Sequence, residues 1–505
     1  MKNLKIYFTS DIHAYVFPTD YRDRQEKPVG LLNMMSEFTK DENTLIIDGG
    51  DTIQGSSFAS YLSNNGIGNE IIAEIMNEAG YDYITLGNHD FNYGYDYLKN
   101  YINHFQGKCL CTNVTDHTNG IKILPYDIKT LGNGLVVGVI GFTTDFITTW
   151  EKKEHLENFT IDNTYASVVE TYQLLKPQVD VLIGIYHGGF EYDLHSHKKL
   201  SPTSENIAYT ICKDFEFDIL LTGHQHMEIS GQDLHGTFIA QTPENGKKYI
   251  EMEVLFEGSK IKEIRSELKT PKINPNKKLY EKLLPIENQI QNWLDQPVGF
   301  LDVPLQPKSH IEMALEGSYI VNFANQVSLE VSGADLACSS LGNSVKGFHQ
   351  EVSIRDIVST YIYPNTLVVL EVTGKQLLLA LERCGSYFAL EDGKPTVSEL
   401  FLKPKVEHYN YDFFSNLFYS FDLRKEAGNR VTSAKFKGRD IEAEKTYTLV
   451  MNNYRATGAG GYDFYKEAKI VKEIQVETAE LIIDYFKKNP NVVVDKTKYI
   501  EDVIY

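Results

Sequence analysis

GNHDFNYG, residues 87–94, directly follows the apolar segment YITL at 83–86. An apolar segment that ends in polar residues is typical of a buried strand whose C-terminal end reaches a ligand site. Asn88, His89 and Asp90 stand together in this position, although Asn, Asp and Gly are also ordinary turn residues. The stretch alone therefore leaves two interpretations open, a plain turn or part of a functional site.

Four other apolar segments in the first half of the chain also end in Asp or His. They are KIYFTSDIH (5–13), TLIIDGGDT (44–52), VLIGIYHGG (181–189) and DILLTGHQH (218–226). Helical periodicity separates these segments, at 29–38, 70–79, 95–105, 167–175 and 204–212. Alternating strands and helices predict a layered α/β domain.

The second half of the chain predicts a linker and another α/β domain. Short strands end near residue 268, and the proline-containing stretch TPKINPNKK (270–278) follows them. Residues 279–295 have apolar side chains at helical spacing, with Pro285 predicting a kink or a break. We therefore predict a first domain at 1–270, a linker helix within 271–297 and a second domain at 298–505.

Composition limits the classes of partner. With 505 residues and a formal net charge of -20, the chain is long enough for two or three domains and too acidic to favour polymeric nucleic acid. No segment approaches the roughly 20 apolar residues of a membrane span. The five cysteines are scattered, which predicts no disulfide framework. The absence of a signal peptide predicts a cytoplasmic protein, or a secreted or periplasmic one if a leader has been removed.

The polar strand ends together offer the ligands of a metal centre. The candidate ligands are Asp11, His13, Asp51, Asn88, His187, His224 and His226. Imidazole with carboxylate suits two borderline divalent ions, Mn, Zn, Fe or Co, and a bridging Asp would hold them about 3.5–4 Å apart. At a strand end, residues two apart point the same way, so Asp11 with His13 and His224 with His226 should each converge on one site.

Each cluster taken alone is more often a turn, but five clusters at strand ends favour a metal site over coincidence. His195 and His197 also form an HxH pair. They lie in the polar stretch EYDLHSHKK (191–199), beyond any apolar segment. We therefore interpret them as surface or lid residues.

DIH, GGDT, GNHD, HGG and GHQH, in this order, resemble the five motifs of the calcineurin-like metallophosphoesterases, and the second half resembles the C-terminal domain of the two-domain 5'-nucleotidase family. The resemblance implies a layered α/β β-sandwich domain followed by an α/β substrate-binding domain. It implies one ion on Asp11, His13 and His226, a second on Asn88, His187 and His224, and Asp51 between them. It also implies that His89 is the catalytic histidine and that Asp90 orients it.

The loop NNYRATGAGGYDFY (452–465) resembles the substrate loop of that family. The resemblance implies that two aromatic rings stack on the nucleotide base, each stack contributing about 1–3 kcal/mol. Tyr454 takes one position, and Tyr411, or alternatively Tyr409, takes the other. The expected substrate contacts are Tyr454, Tyr411, Tyr409, Asn453, Gly458 and Gly460. The alternative is a tyrosine-rich core, since the chain has 32 tyrosines.

Two departures distinguish this chain from the 5'-nucleotidases of the family. Their GGIR-type loop is missing from CSSLGNSVKGFHQEVSIRD (338–356), where Arg355 is interpreted as structural. Their NHEFD motif closes on Asp, and Asn92 stands there in this chain. Both departures, together with YIYPNTLVVLEVTG (361–374) and NNYRATGAGG (452–461), resemble the 2',3'-cyclic-nucleotide 2'-phosphodiesterase/3'-nucleotidase branch.

That branch implies a hydrolase of 2',3'-cyclic nucleotides and 3'-nucleotides, in which two metal ions lower the pKa of a water until it attacks phosphorus as hydroxide. A 5'-nucleotidase or UDP-sugar hydrolase is the first alternative, and a noncatalytic nucleotide-binding protein is the second. The predicted partner is a small nucleotide, with the oligomeric state left open.

Overall fold

The computed structural model describes residues 2–197, 199, 204–363, 365–403, 406–474 and 476–505. The chain forms two compact units, Met1–Gln291 and Asn292–Tyr505. The division lies inside the segment 271–297 that the sequence predicts as a linker. Among the described residues, none of the helices is both long enough and apolar enough to cross a membrane.

The first unit is a mixed α/β unit. Its strands are β1 (Lys2–Thr9), β2 (Thr44–Asp48), β3 (Tyr83–Ile84), β4 (Lys108–Leu110), β5 (Val114–Asp116), β6 (Ile123–Leu124), β7 (Tyr126–Thr130), β8 (Val136–Thr143), β9 (Phe159–Ile161), β10 (Val181–His187), β11 (Ile219–Thr222), β12 (Ile229–Leu234), β13 (Thr237–Gln241), β14 (Tyr249–Glu257) and β15 (Lys260–Lys269). Its helices are α1 (Leu31–Met34), α2 (Ser57–Asn64), α3 (Glu70–Ala79), α4 (Tyr95–His104), α5 (Ile147–Trp150), α6 (Lys153–Leu156), α7 (Thr164–Leu175), α8 (Ala208–Asp214) and α9 (Lys277–Leu294).

Two mixed sheets form the frame of this unit. One has the order β15-β14-β1-β2-β3-β4-β6, and the other has the order β12-β13-β11-β10-β8-β7. β1, β2 and β3 are parallel, as are β8, β10, β11 and β13. Because the carboxyl ends of parallel strands meet at one edge of a sheet, the polar residues that follow β1, β2, β3, β10 and β11 are brought together.

The core of the first unit lies between its two sheets. Side chains of β1 and β2, such as Phe8 and Leu45, share one buried cluster with side chains of β8 and β10, such as Val139 and Ile183. A second cluster covers the other face of the β10 sheet with residues of α7 and α8. Strands covered in this way need apolar residues on both faces, which explains the run VLIGIYH of β10, buried at every position.

Most predicted helices of the first unit are present, with altered ends. α3 has the predicted bounds and ends at Gly80, whose left-handed backbone is typical of a helix C-cap. The helix predicted at 29–38 is shorter, and that predicted at 204–212 begins only at Ala208. α9 continues through Pro285, so the helix break that was one of the two predictions for this proline does not occur.

The second unit is also a mixed α/β unit. Its strands are β16 (Pro297–Leu301), β17 (Leu336–Ser339), β18 (Glu351–Ser353), β19 (Leu367–Thr373), β20 (Phe388–Glu391), β21 (Lys394–Val397), β22 (Phe413–Ser415), β23 (Leu417–Asp422), β24 (Val431–Phe436), β25 (Arg439–Asp440), β26 (Thr446–Asn452), β27 (Lys469–Ile474), β28 (Asn491–Val492) and β29 (Ile500–Ile504). Its helices are α10 (His310–Glu316), α11 (Tyr319–Ser332), α12 (Ile354–Thr360), α13 (Gly374–Gly385), α14 (Asn453–Ala456) and α15 (Thr478–Lys488).

A sheet in the order β22-β17-β26-β19-β27 and another in the order β25-β24-β23-β29 organise this unit. Their apolar residues join those of α11 and α13 in one large core. α13 starts with a capping box, in which Thr373 and Gln376 satisfy each other's backbone N–H groups. α14 and the glycine-rich turn 457–461 follow β26 directly, so that strand places the predicted substrate loop.

Candidate active site

The structure brings six of the seven predicted metal ligands into two groups in the first unit. Asp11, His13 and His226 form one group, and Asp51, His187 and His224 form the other, with the ligand atoms of each group within 4.8 Å of one another. The seventh, Asn88, lies at the second group, with its Oδ1 2.9 Å from His224 Nδ1. Both atoms are therefore close enough to contact a single ion.

The backbone of these residues is unusual. Positive φ angles occur at Asp11 (55°), His13 (51°), Asp51 (54°), His224 (70°) and His226 (56°). Non-glycine residues rarely adopt this left-handed conformation, and clusters of them are found mainly at functional sites. The surrounding structure thus holds these five side chains in place at a cost in local strain.

The left-handed backbone also contradicts one prediction from the sequence, namely that each pair of residues two apart converges on one site. The predicted pairs lie in loops after β1 and β11, so strand alternation does not set their directions. Asp11 and His13 do share a group, but His224 and His226 belong to different groups. The pair His224 and His226 therefore supplies one ligand to each of the two groups.

Glycines allow the close packing of these loops. A Cβ at Gly87 would lie 2.1 Å from Asp51 Oδ1, and one at Gly223 would lie 2.7 Å from Asp11 Oδ2. Both distances are far below van der Waals contact, so only glycine fits beside these carboxylates. The glycines of GNHD and GHQH are thus required by the approach of two ligand loops.

The histidines are oriented as metal ligands usually are. His13 Nδ1 lies 2.9 Å from the Gln54 carbonyl, and His187 Nδ1 lies 2.8 Å from the Gly49 carbonyl. A carbonyl can only accept, so each Nδ1 donates and leaves Nε2 free for an ion. His187 Nε2 is buried 3.1 Å from Asp51 Oδ2, without hydrogen-bond geometry to any described residue. A buried nitrogen left unsatisfied beside a carboxylate fits a divalent cation in that position.

The electrostatics of the site keep its carboxylates ionised. Burial would raise the pKa of Asp11, but a hydrogen bond with His226 and the nearby histidines lower that pKa to about 2. Burial likewise opposes ionisation of Asp51, and His187 and His89 outweigh it, so the pKa of Asp51 is well below its usual range. Burial lowers the pKa of His13 to about 4. Burial opposes protonation of His187, but Asp51 outweighs it and raises the pKa of His187 to about 10. Because metal ligands are ionised carboxylates and neutral imidazoles, an ion at this site must displace the proton of His187.

Two further residues, which sequence reasoning missed, support His224. Glu205 Oε1 accepts a hydrogen bond from His224 Nε2 at 3.0 Å, and the Trp150 ring stacks on the His224 ring with centroids 5.5 Å apart. The first interaction leaves Nδ1 as the nitrogen that faces Asn88. Neither residue belongs to a strand-end motif, so the sequence had no signal for them.

His89 lies beside the metal groups, and its ring centroid is 5.4 Å from that of His13. Asp90 does not orient it as the family resemblance implied. The buried Asp90 carboxylate instead accepts backbone N–H groups of Asp51, Thr52, Ile53 and Gly87, at 2.8–3.1 Å. His89 Nδ1 contacts Asn92 Oδ1 at 2.7 Å. Asp90 therefore organises the ligand loops, and Asn92 holds the histidine.

His195 and His197 belong to neither metal group and are exposed, as the sequence predicted for surface residues. Asp193 is the local anchor of this segment, since its Oδ1 accepts from the backbone N–H of His195 and of Ser196. Residues 198 and 200–203, which follow, lie outside the described residues.

Three tyrosines form an aromatic cluster in the second unit. The Tyr454 ring, 41% exposed, lies 6.5 Å from the Tyr409 ring at an angle of 72°, and the Tyr363 ring lies 6.2 Å from that of Tyr409 at an angle of 68°. Tyr411, the preferred partner in the sequence argument, does not fit this role. It is 2% exposed, and its hydroxyl donates to the Ala314 carbonyl in the core. Tyr409, the alternative, is the ring beside Tyr454.

The glycine-rich loop is held by Arg455. This residue is 1% exposed, and its Nε donates to Asp412 at 2.8 Å, while Nη2 donates to the Tyr409 carbonyl at 3.0 Å. Gly458 and Gly460 have positive φ angles of 85° and 75°, so both belong to the turn itself. Asn453 Oδ1 accepts from Thr366 N and joins the loop to the neighbouring strand end.

Arg355 has the structural role that the sequence interpretation gave it. Its Nε donates to Asp295 Oδ1 at 2.6 Å, and the residue is 9% exposed. Arg355 thus lies in the first turn of α12 with its guanidinium held by Asp295.

Comparison with known proteins agrees with this architecture. Residues 4–228 match the family "Calcineurin-like phosphoesterase", and residues 297–467 match "5'-nucleotidase, C-terminal domain". The trifunctional nucleotide phosphoesterase protein YfkN of Bacillus subtilis is 25% identical over 97% of this chain, which spans 38% of that relative's length. The 2',3'-cyclic-nucleotide 2'-phosphodiesterase/3'-nucleotidase of Haemophilus influenzae is 23% identical over 96% of this chain and 84% of its own.

Among solved structures, a putative 5'-nucleotidase from Staphylococcus aureus in complex with alpha-ketoglutarate is 32% identical, covers 100% of both chains and superposes with a TM-score of 0.86. A 5'-nucleotidase precursor from Thermus thermophilus, 21% identical over 99% of both chains with a TM-score of 0.64, shares the fold. The chain therefore belongs to the metallophosphoesterase family in which a calcineurin-like domain is followed by a 5'-nucleotidase C-terminal domain.

Proposed function

We propose that the protein hydrolyses nucleotide phosphoesters with two divalent ions held by the two ligand groups of the first unit. The observation that carries this proposal is the pair of convergent groups, Asp11–His13–His226 and Asp51–His187–His224, with His89 beside them. Borderline ions such as Mn, Zn, Fe or Co suit this set of imidazole and carboxylate ligands. When bound, such ions neutralise phosphoryl oxygens and activate water.

In the proposed reaction, an oxygen from water bonds to phosphorus and the bond from phosphorus to the leaving oxygen breaks. His89, with Nδ1–H donated to Asn92, gives its Nε2 proton from the imidazolium form to that leaving oxygen, and the proton released by the attacking water restores the imidazolium. Asp51 positions the histidine from the other side, since its Oδ1 accepts the backbone N–H of His89 at 2.7 Å. The base of the nucleotide stacks on the exposed ring of Tyr454 in the second unit, and Tyr409, whose ring plane is 72° from that of Tyr454, contacts the edge of the base.

The substrates that we favour are 2',3'-cyclic nucleotides and 3'-nucleotides. Asn92 in place of a closing Asp and the absence of a GGIR-type arginine support this choice, as does the similarity to the 2',3'-cyclic-nucleotide 2'-phosphodiesterase/3'-nucleotidase of Haemophilus influenzae. The arginines near the aromatic cluster are already engaged, since Arg455 pairs with Asp412 and Arg383 donates to the Gly460 carbonyl.

A 5'-nucleotidase is the second candidate. The observation that favours it is the putative 5'-nucleotidase from Staphylococcus aureus, whose identity to this chain is higher than that of the cyclic phosphodiesterase relatives. The two candidates share the metal centre and differ in the phosphate position that they accept.

A substrate panel separates these functions. Protein loaded with Mn²⁺ is assayed for release of phosphate or nucleoside from 2',3'-cyclic AMP, 3'-AMP, 5'-AMP and UDP-glucose. We expect the highest kcat/KM for 2',3'-cyclic AMP and 3'-AMP, and the variant Asp51→Ala, which lacks the ligand between the groups, controls for contaminating enzymes. A clean preference for 5'-AMP selects the second candidate. No turnover with Mn²⁺, Co²⁺ or Zn²⁺, together with no bound metal, would support a noncatalytic nucleotide-binding protein.

A further inference from the structure

The residue that holds His89 is itself held by a buried acid from another part of the chain. Asn92 Nδ2 donates to Glu151 Oε2 at 2.5 Å, while Asn92 Oδ1 faces His89 Nδ1. Glu151 lies 59 residues after Asn92, directly after α5. His89, Asn92 and Glu151 thus form a chain of side chains that ends on a carboxylate, which we name the Glu151 chain.

Glu151 is fixed in this position. Its side chain is 5% exposed, and its Oε1 lies 2.7 Å from the Lys152 backbone nitrogen and 2.8 Å from His155 Nδ1. Trp150, the preceding residue, stacks on the metal-ligand candidate His224. The segment that carries Glu151 is therefore anchored on both sides of the carboxylate.

The chemistry of the three groups determines their orientation. A carboxylate has only acceptors, so the Asn92 amide must turn its NH₂ toward Glu151 and its oxygen toward His89. An amide oxygen also only accepts, so His89 Nδ1 must donate. Nε2 is then the ring nitrogen that remains for the leaving oxygen of a substrate. Without the carboxylate, the Asn92 amide has no reason to prefer this orientation over the flipped one.

We propose that Glu151 is a positioning residue for His89 and acts through Asn92. The Glu151 carboxylate fixes the direction of the Asn92 amide, and the amide oxygen in turn fixes the His89 ring. This inference rests on the proposed role of His89 in phosphoester hydrolysis.

The test uses single variants that each exchange one hydrogen-bond acceptor for a donor, or one donor for an acceptor. In Glu151→Gln, one carboxylate oxygen becomes an NH₂ group, which can only donate. Since Asn92, Lys152 and His155 all donate to this side chain, at least one of the three hydrogen bonds must be lost. Asn92→Asp places two carboxylates in contact, which disfavours both ionised forms. The double variant Asn92→Asp/Glu151→Gln satisfies these contacts again, because the carboxylate introduced by Asn92→Asp accepts from His89 and from the amide introduced by Glu151→Gln. Glu154→Gln, at an exposed acid of α6, is the matched control.

Each variant is assayed with Mn²⁺ on 2',3'-cyclic AMP, or on the panel nucleotide that the parent hydrolyses best, and on bis(p-nitrophenyl) phosphate. For Glu151→Gln we expect kcat on the nucleotide to fall about 10-fold to 100-fold, with KM and bound Mn²⁺ unchanged. Turnover of the p-nitrophenyl ester should fall much less, because p-nitrophenolate leaves without a proton. In the double variant kcat should return to within about threefold of the parent.

Three results would overturn the inference. One is a Glu151→Gln variant as active as the parent, and another is a double variant no better than Glu151→Gln although it binds Mn²⁺ normally. The third is a loss of activity that only follows a loss of Mn²⁺, because Glu151 would then support the metal centre and not His89. An inactive parent would instead contradict the proposed function, so the two failures are distinguishable.

Discussion

His89 lies in a short 3-10 helix, His89–Phe91, that starts directly after Asn88. One turn of backbone thus presents a metal-ligand candidate and the proposed acid next to each other. His89 belongs to neither ligand group, and its Nδ1 is engaged by Asn92. Metal binding and proton transfer are therefore assigned to different side chains of the same loop.

This division predicts the behaviour of His89→Asn. We expect the variant to bind two equivalents of Mn²⁺ like the parent, because every ligand remains, and to lose about 10²-fold to 10⁴-fold in kcat, the usual contribution of a general acid. Metal analysis of the dialysed protein and steady-state kinetics provide the two measurements. His195→Asn, an exposed histidine, is the control. Equal turnover in the metal-loaded variant and the parent would remove His89 from the mechanism.

The individual ligands could be predicted from sequence because each follows an apolar strand of recognisable pattern. Asp11, Asp51 and His187 stand directly at or after β1, β2 and β10. The residues that orient those ligands could not be predicted. Glu205 and Glu151 come from loops with no apolar segment before them, and only the folded chain brings them to His224 and Asn92.

At the scale of elements, α14 and the 3-10 helix His408–Asn410 carry Tyr454 and Tyr409, two rings of the aromatic cluster. Tyr409 and Tyr411 are two residues apart, yet one ring lies beside Tyr454 and the other is buried in the core. The sequence could not choose between them, since both are tyrosines in the same aromatic stretch. The chain direction after the short helix decides which ring is accessible.

Tyr454→Ala tests the base-binding role of this cluster. Loss of one stacking interaction of about 1–3 kcal/mol should raise KM for nucleotide substrates by about 5-fold to 150-fold. KM for bis(p-nitrophenyl) phosphate, which has no base, should change little. Tyr319→Ala removes another exposed tyrosine, 49% exposed at the start of α11, and serves as the control. Unchanged KM for every nucleotide would exclude Tyr454 from base binding.

The ion pair between Arg455 and Asp412 joins the same two elements. Both residues are about 1% exposed, and the guanidinium also contacts the Tyr462 ring at 4.1 Å. Arg455→Met should lower the free energy of unfolding of the second unit by about 3–5 kcal/mol, because it leaves a carboxylate buried without its partner.

Urea denaturation followed by tyrosine fluorescence or circular dichroism measures this change. Arg424→Gln breaks a pair with Asp422 in which the arginine side chain is 62% exposed, and it should cost about 0–1 kcal/mol. A variant of Arg455 no less stable than that control would mean that the loop reorganises to satisfy Asp412.

At the scale of the whole molecule, two separate cores correspond to two different tasks. The apolar clusters between the sheets and helices of the first unit contain only residues of that unit, and the large cluster of the second unit contains only its own. All candidate metal ligands lie in the first unit, and the aromatic cluster lies in the second. A ligand of one unit should therefore stabilise that unit without directly stabilising the other.

Thermal unfolding with and without Mn²⁺ tests this division. An ion present at about 100 times its dissociation constant stabilises the native state by about 2.7 kcal/mol, which corresponds to a rise in Tm of about 5–10 °C for a unit of this size. We expect calorimetry to resolve two transitions and Mn²⁺ to raise only one. Arg455→Met should lower the other transition and leave the Mn²⁺-dependent one in place, which assigns each transition to its unit. In the Asp51→Ala variant, the response to Mn²⁺ should be lost while the second transition is unchanged. If Mn²⁺ and Arg455→Met instead shift a single common transition, the two cores unfold cooperatively, and the independence inferred from their separate apolar clusters is wrong.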